Sequence, residues 1–157
     1  MLIRTKKDKA LLPVLRFLGS AWYWDKKASR IINDIERLRS QAEKVTTSYS
    51  LTPPTPGFEN RRQAVMDSMV EKQKEYEAAR RECEKHLQNI RFLISLLDNF
   101  VERTVCEYRY LSYYGWLEIG IALNYSLSAL DKINDSALRN LVKINDEIIA
   151  KIGKGFF

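Results

Sequence analysis

The sequence is poor in the residues that most often build metal sites, disulfides and histidine-dependent active sites. Its 157 residues include only two cysteines, Cys83 and Cys106, and one histidine, His86. Two cysteines cannot form a disulfide framework, and these three side chains cannot fill a four-ligand zinc site. No nucleophile–base pair or phosphate-binding loop is evident either. We therefore expect a protein that is not an enzyme and that binds no metal and no cofactor.

Long apolar runs are also missing. The stretch over residues 92–97 is interrupted by Ser95 and is far shorter than the roughly 20 residues that a membrane-spanning helix needs. The N-terminus has lysines ahead of apolar residues, as a secretory signal does, but Pro13 and Arg16 interrupt it. We expect no membrane association, and a cytoplasmic protein whose cysteines stay reduced.

Proline is scarce and concentrated in one place. Three of the four prolines lie within residues 51–57, LTPPTPG, where they exclude a continuous helix. Helix-forming residues dominate the rest of the chain, which predicts an all-α fold with helices over about 20–46 and 60–99. Each segment carries apolar residues at alternating spacings of three and four, the pattern of a coiled-coil seam. The first seam comprises Ala21, Trp24, Ala28, Ile31, Ile35, Leu38, Ala42 and Val45; the second comprises Met66, Met69, Gln73, Tyr76, Arg80, Cys83, Leu87, Ile90, Ile94, Leu97 and Val101.

Two seams joined by a proline-rich turn predict a long, coiled-coil-like antiparallel helical hairpin. The second helix, at roughly 60 Å, is the longer one, so its far half needs another partner. That partner is the C-terminal region, residues 11–18, or a second copy of the chain. The stripes themselves fit either the core of one bundle or a homodimeric coiled coil.

The last third of the chain has shorter elements. The sequence predicts an amphipathic helix from Phe100 to Leu111, a break over residues 112–115, and a two-turn helix over 116–123. Asn124 and Tyr125 then form a tight turn, and Ser126 fits the N-cap of a helix that ends near Ile144. A short helix, a tight turn and a longer helix form the helix-turn-helix plan. On the second helix the face opposite the apolar stripe carries Ser128, Lys132, Asp135 and Arg139.

Several motifs in this order resemble one known group of proteins. Near the C-terminus they are Glu118-Ile119-Gly120, Leu123-Asn124-Tyr125-Ser126, Leu130, Ile133 and Ala137-Leu138, preceded by Arg109-Tyr110-Leu111 and Trp116. Near the N-terminus they are IERLRS at residues 35–40 and VTTSYS at residues 45–50. Together, residues of about 20–144 resemble the ArpU/RinA-type phage regulators of late transcription, whose helix-turn-helix is similar to sigma-70 region 4.

The resemblance implies a phage-encoded, DNA-binding transcriptional regulator that activates late genes in the cytoplasm of a bacterial host. Its implied partners are promoter double-stranded DNA, host RNA polymerase and further copies of itself, as a homodimer or a higher homo-oligomer. By motif position, Ser126 caps the recognition helix, and Ser128, Lys132 and Arg139 are the candidate DNA contacts. The chain departs from the family pattern where Leu127, Asp131 and Asp135 replace basic or amide residues, and where Asn134 stands in place of a frequent histidine.

The distribution of charge leaves two interpretations of this domain. The chain has a net charge of +6, which residues 1–57 carry alone; residues 58–97 have a net charge of +1 and residues 98–157 of −1. DNA-binding proteins draw much of their affinity from phosphate neutralisation. Either the basic N-terminal arm supplies the phosphate contacts, or the chain is a phage protein-binding inhibitor or adaptor of a host enzyme, such as a defence nuclease, built on a helix-turn-helix scaffold.

The predicted organisation has four parts. A basic arm covers residues 1–19, and the helical hairpin, used in oligomerisation, covers residues 20–97 with its turn at 51–57. The helix-turn-helix domain follows over residues 98–146. The tail, residues 147–157, ends in KIGKGFF and is either frayed or docked on a partner.

Overall fold

The computed structural model describes residues 8–47 and 56–157, and within them every regular element is helical. A 3-10 turn over Asp8–Leu11 leads into α1 (Leu12–Thr47), and α2 covers Phe58–Ser95. The short helix α3 (Phe100–Cys106) continues into a π-helical segment, Glu107–Leu111. Two further helices follow, α4 (Trp116–Leu123) and α5 (Leu127–Ile152). The predicted all-α class is thus confirmed, with a long N-terminal helix of 36 residues.

The two long helices are displaced from their predicted bounds. α1 begins at Leu12 rather than near residue 20, because Pro13 sits in the first turn, where the missing amide proton costs nothing. α2 ends at Ser95, four residues early, and Asn99 caps α3 instead by accepting hydrogen bonds from the Val101 and Glu102 amides. No described helix is long and apolar enough to cross a bilayer. The predicted turn at 51–57 lies outside the described residues, apart from Pro56 and Gly57.

The chain divides into two compact units, the first formed by Met1–Trp22 with Glu84–Phe157 and the second by Tyr23–Cys83. The core of the first unit combines the start of α1, the end of α2 and the middle of α5. Its buried side chains are Leu11, Val14, Leu18, Ala21, Ile90, Leu93, Ile94, Leu97, Cys106, Ala137, Leu138 and Leu141. Both the N-terminal apolar stretch and the C-terminal region therefore cover the far half of α2.

In the second unit, α1 and α2 run in opposite directions, since Asp25 pairs with Arg80 while residues 39–44 face residues 61–69. The core here is small: Ala28, Ile31, Ile35 and Ala79 are buried, with Trp24 and Tyr76 beside them. Gln73 and Arg80, predicted on the seam, do not belong to the buried core, and Arg80 reaches α1 only at the edge of the seam through its ion pair with Asp25. Both side chains are exposed, and the neighbouring Ala79 is buried instead, because burying a methyl group avoids desolvating a guanidinium.

The C-terminal tail docks on its own unit. Gly153 ends α5 in the left-handed conformation, with φ of 73°, and turns the chain back. The Asn145 side chain then accepts a hydrogen bond from the Phe156 amide at 2.6 Å and donates one to the Phe157 carbonyl at 2.9 Å. The rings of Phe156 and Phe157 pack on Phe17, each at a centroid distance of 5.7 Å.

Replacing Asn145 with alanine is expected to lower the free energy of unfolding by about 1–2 kcal/mol, because two hydrogen bonds to the tail are lost. Thermal unfolding measures the loss of stability, and release of the terminal phenylalanines by carboxypeptidase, which should be faster in the variant, reports the undocking of the tail. Glu147→Ala, at an exposed position on the same helix, is the matched control. Equal digestion rates in both variants would contradict the role of Asn145.

Candidate nucleic-acid interface

The candidate interface is built from α4, α5 and the residues that join them. Gly115, in an extended conformation, starts α4, and its amide donates a hydrogen bond to Glu118 Oε2 at 2.6 Å. This contact satisfies one of the free amides at the helix N-terminus and fixes where the helix begins. The observed bounds of α4, Trp116–Leu123, are those that the sequence predicts.

The turn between the helices depends on two residues with special conformations. Asn124 ends α4 in the left-handed region, with φ of 56° and ψ of 45°, which asparagine tolerates better than most residues. Ser126 is extended, and its hydroxyl accepts a hydrogen bond from the Ala129 amide at 3.1 Å, as an N-cap does. The hydroxyl of Ser126 is therefore engaged in capping α5.

Gly120 permits the close approach of the turn to α4. The Tyr125 amide donates a hydrogen bond to the Gly120 carbonyl at 3.0 Å. A β-carbon at position 120 would lie 2.8 Å from the carbonyl oxygen of Tyr125, closer than a carbon and an oxygen can approach without strain. Only glycine fits here without a backbone shift, a requirement that the sequence pattern did not disclose.

A small apolar cluster holds α4 and α5 together beneath the turn. Ile119 of α4, Leu130 of α5 and Val105 of α3 are each almost completely buried. Tyr108, Trp116, Leu123 and Ile133 surround them. The interhelical geometry is thus set by packing as well as by the turn.

The candidate DNA contacts lie on the exposed side of α5. Ser128 and Lys132 are exposed, and Arg139 is exposed but engaged: its guanidinium binds the Asp135 carboxylate at 2.8 and 3.3 Å. The face therefore combines a cation near its start with an ion pair two turns later. Leu127 and Asp131 are exposed beside these residues. The basic residues Arg4, Lys6 and Lys7 of the predicted arm lie outside the described residues.

Polar groups on the flanks of α5, beside its apolar stripe, connect the helix to the segments that precede it in the first unit. Glu102 of α3 is only 5% exposed, and its carboxylate accepts hydrogen bonds from Ser136 Oγ at 2.6 Å and Asn140 Nδ2 at 2.9 Å. On the other flank of the helix, the Tyr110 hydroxyl donates to Oδ1 of the fully buried Asn134 at 2.9 Å. Charged and amide residues are expected at protein surfaces, so the spacing of residues in the sequence does not predict the buried hydrogen bonds of Glu102 and Asn134.

Burial also sets the protonation of two groups under α5. It raises the pKa of the Cys106 thiol to about 12, with Glu102 and Glu107 adding to the effect. The pKa of Tyr110 is raised as well, chiefly by burial, although the hydrogen bond to Asn134 opposes the shift. Cys106 therefore stays a neutral thiol at physiological pH, which disfavours a nucleophilic or metal-binding role.

A second exposed surface on α4 is apolar. Leu117 and Ile121, one helical turn apart, are 67% and 76% exposed. Neither side chain contributes to the buried clusters beneath the turn.

Comparisons of the chain with protein-family models, curated proteins and solved structures gave no match.

Proposed function

We propose that the chain is a phage-type, DNA-binding transcriptional regulator in which α4 and α5 act as a helix-turn-helix. The observation that carries the proposal is the connection between these helices. A close contact at Gly120, a left-handed Asn124 and a Ser126 cap bring a short helix against the start of a longer one within three residues. In helix-turn-helix proteins the second helix places its first turns in the major groove.

The polar face of α5 supports this assignment. Lys132 lies in the second turn of α5 and is exposed, in the region where recognition helices contact base edges and phosphates. Arg139 can contribute only by exchanging its ion pair with Asp135 for a phosphate. The proposed activity is promoter binding followed by contact with host RNA polymerase, with no catalytic step.

The test is selection of a duplex from a random 30-base-pair library, followed by fluorescence anisotropy on the selected DNA. Lys132→Ala is expected to weaken DNA binding about tenfold. It should also make the plot of log Kd against log salt shallower by about one unit, because one phosphate contact is lost. Lys143→Ala is the matched control, because this exposed lysine lies on nearly the same face of α5 about 16 Å further along. If no duplex is enriched, or if both variants bind like the wild type, the proposed reading face is wrong.

Asp135→Asn is expected to tighten DNA binding three- to tenfold, because it removes a negative charge from the face and releases Arg139 toward phosphate. The plot of log Kd against log salt should become steeper by up to one unit. Asp146→Asn, an exposed substitution on nearly the same face three turns later, should leave binding nearly unchanged. Weaker binding by Asp135→Asn would show that the ion pair itself orients the interface.

Assembly is the second part of the proposal, and an apolar groove in the second unit supports it. A cavity of about 1030 Å³ between α1 and α2 is lined by Ala42, Val65, Met66 and Met69. In the part of the rim that the structure describes there are four cations, Arg39, Lys44, Arg61 and Arg62, and one acid, Glu43. We propose that a second copy of the chain covers this groove.

Sedimentation equilibrium tests the assembly with a distinctive dependence on salt. Met69→Glu is expected to dissociate the oligomer, whereas Lys74→Glu, at an exposed position further along α2, should not. Because the rims of two copies carry like charges, association should strengthen as salt rises, whereas DNA binding should weaken. A monomer at all salt concentrations would remove assembly from the proposal.

A protein-binding adaptor or inhibitor is the second candidate function, and the exposed pair Leu117 and Ile121 favours it. Apolar side chains exposed this fully next to each other are more typical of protein contacts than of a DNA surface. Capture from host lysate, comparing the wild type with Ile121→Glu, separates the candidates. Retention of RNA polymerase supports regulation, and retention of a nuclease or another defence enzyme supports inhibition.

A further inference from the structure

A small cavity in the first unit is bordered by a glycine inside a helix and by two departures from regular helical backbone. The cavity measures about 280 Å³ and lies between the first turns of α1 and the π-helical segment with the loop that follows it. Gly19 of α1 forms part of its wall, together with Trp22, Arg109, Tyr110 and Tyr113. None of the contacts proposed above for DNA or for assembly uses it.

The glycine is Gly19, in the interior of α1. Glycine at such a position costs about 0.5–1 kcal/mol relative to alanine. Apart from its chain neighbours and the local helix backbone, no described heavy atom lies within 4 Å of a β-carbon built at Gly19, so tertiary packing does not require glycine there. What glycine provides is open space beside the cavity.

The two departures from regular helical backbone lie on the facing wall of the cavity. Residues 107–111 form a π-helix, an arrangement that is rare and often found at functional sites. Tyr113 adopts a φ of 60°, in the left-handed region, where a bulky residue is strained. Both irregular segments contribute aromatic side chains to the lining, Tyr110 and Tyr113.

The side chains that line the cavity indicate which kind of ligand it can bind. Aromatic and leucine side chains form most of the wall, and Leu18 at its base is buried. Arg109 is the one charged residue among the described residues of the lining. Its Nη1 donates to the Tyr114 carbonyl at 2.9 Å, and its guanidinium lies 4.9 Å from the ring centre of Trp116. These contacts fix the position of the guanidinium and leave Nε and Nη2 able to donate to an anion.

The geometry points to a binding site for a small aromatic carboxylate, with its ring between Gly19, Trp22 and the two tyrosines and its carboxylate on Arg109. An apolar cavity of about 150 Å³ holds benzene, so about 280 Å³ accommodates a ring system with one short substituent. This site is independent of the proposed DNA binding.

Titration of the full-length protein by two-dimensional NMR tests the site with two matched probes. Indole-3-acetate carries the carboxylate, and indole-3-acetamide has nearly the same shape without the charge. The acid is expected to shift the amide signals of Gly19 and residues 109–113 with a Kd of about 1 mM or tighter, and the amide to bind about tenfold more weakly. Equal binding of the two probes, or no shift with either, overturns the proposal.

Variants on both walls complete the test. Gly19→Leu fills the cavity and is expected to weaken binding of the acid at least about tenfold while leaving the protein folded, since open space surrounds position 19. Arg109→Lys keeps the positive charge but loses the planar guanidinium, so it should weaken binding of the acid less than Gly19→Leu does. Arg91→Lys, at an exposed position on α2, should have no effect on binding. If Gly19→Leu binds the acid as tightly as the wild type, the ligand lies elsewhere and the assignment fails.

Discussion

Replacing Gly120 with valine is expected to lower the free energy of unfolding by about 2–3 kcal/mol, one of the two largest effects of a single substitution that we predict. The cause is steric, because a β-carbon would lie 2.8 Å from the backbone oxygen of Tyr125 and 3.6 Å from Leu130 Cδ1. A backbone carbonyl in a capped turn cannot move aside as a flexible side chain can. The turn must therefore open, which separates Ile119 from Leu130.

Gly19→Ala is the control for this experiment, since it is also a substitution of a glycine inside a helix. With nothing within 4 Å of its β-carbon, it is expected to stabilise the protein by about 0.5–1 kcal/mol through helix propensity alone. Urea unfolding of the two variants should therefore move the midpoint in opposite directions. A midpoint for Gly120→Val equal to that of the wild type would mean that the close contact is not present in solution.

Glu102→Ala is expected to destabilise the protein by about 2–4 kcal/mol, because α3 and α5 lose two charge-assisted hydrogen bonds at once. The Ser136 hydroxyl can turn to a backbone carbonyl of its own helix, but the Asn140 amide is left without its partner. Glu102→Gln should retain part of the stability, since its oxygen still accepts from one of the two donors. The glutamine amide nitrogen, however, is itself a donor, so it cannot accept the second of the hydrogen bonds that Ser136 and Asn140 donate to the carboxylate.

Glu107→Ala provides the matched control for Glu102, since it removes a nearby carboxylate that is exposed. It is expected to change the free energy of unfolding by less than about 0.5 kcal/mol. Urea unfolding at pH 7 compares the three variants. Equal stabilities for Glu102→Ala and Glu107→Ala would contradict the anchoring of α5 by the buried carboxylate.

Local signals in the sequence were sufficient for part of the fold. The bounds of α4, the left-handed Asn124 and the cap at Ser126 all follow from residue types with strong local preferences, and the structure has each of them. The helical class follows equally from composition and periodicity. These features depend on a few neighbouring residues, so no knowledge of tertiary packing was needed.

Features that depend on contacts distant in sequence were missed. Spacing alone does not decide whether Ala79 or Arg80 faces the core, because both positions fit the same three-four rhythm on adjacent sides of one stripe. Likewise, the sequence pattern predicts that α5 ends near Ile144, but the helix continues to Ile152 and ends at Gly153. Asn145 is buried under the returning tail. The spacing of apolar and polar residues in the sequence indicates neither the partners of Glu102 nor the close contact at Gly120.

The unbroken length of α5 has a mechanical consequence. Over 26 residues the helix is about 39 Å long, and the candidate reading residues occupy its first turns while the docked tail holds its last ones. Between these two ends the helix is anchored, since Ala137, Leu138 and Leu141 lie in the core of the first unit and Glu102 accepts hydrogen bonds from Ser136 and Asn140. A fusion or cleavage that disturbs Phe156 and Phe157 is therefore expected to loosen the last turns of α5 while Lys132 keeps its orientation, because the anchored middle of the helix separates the two ends.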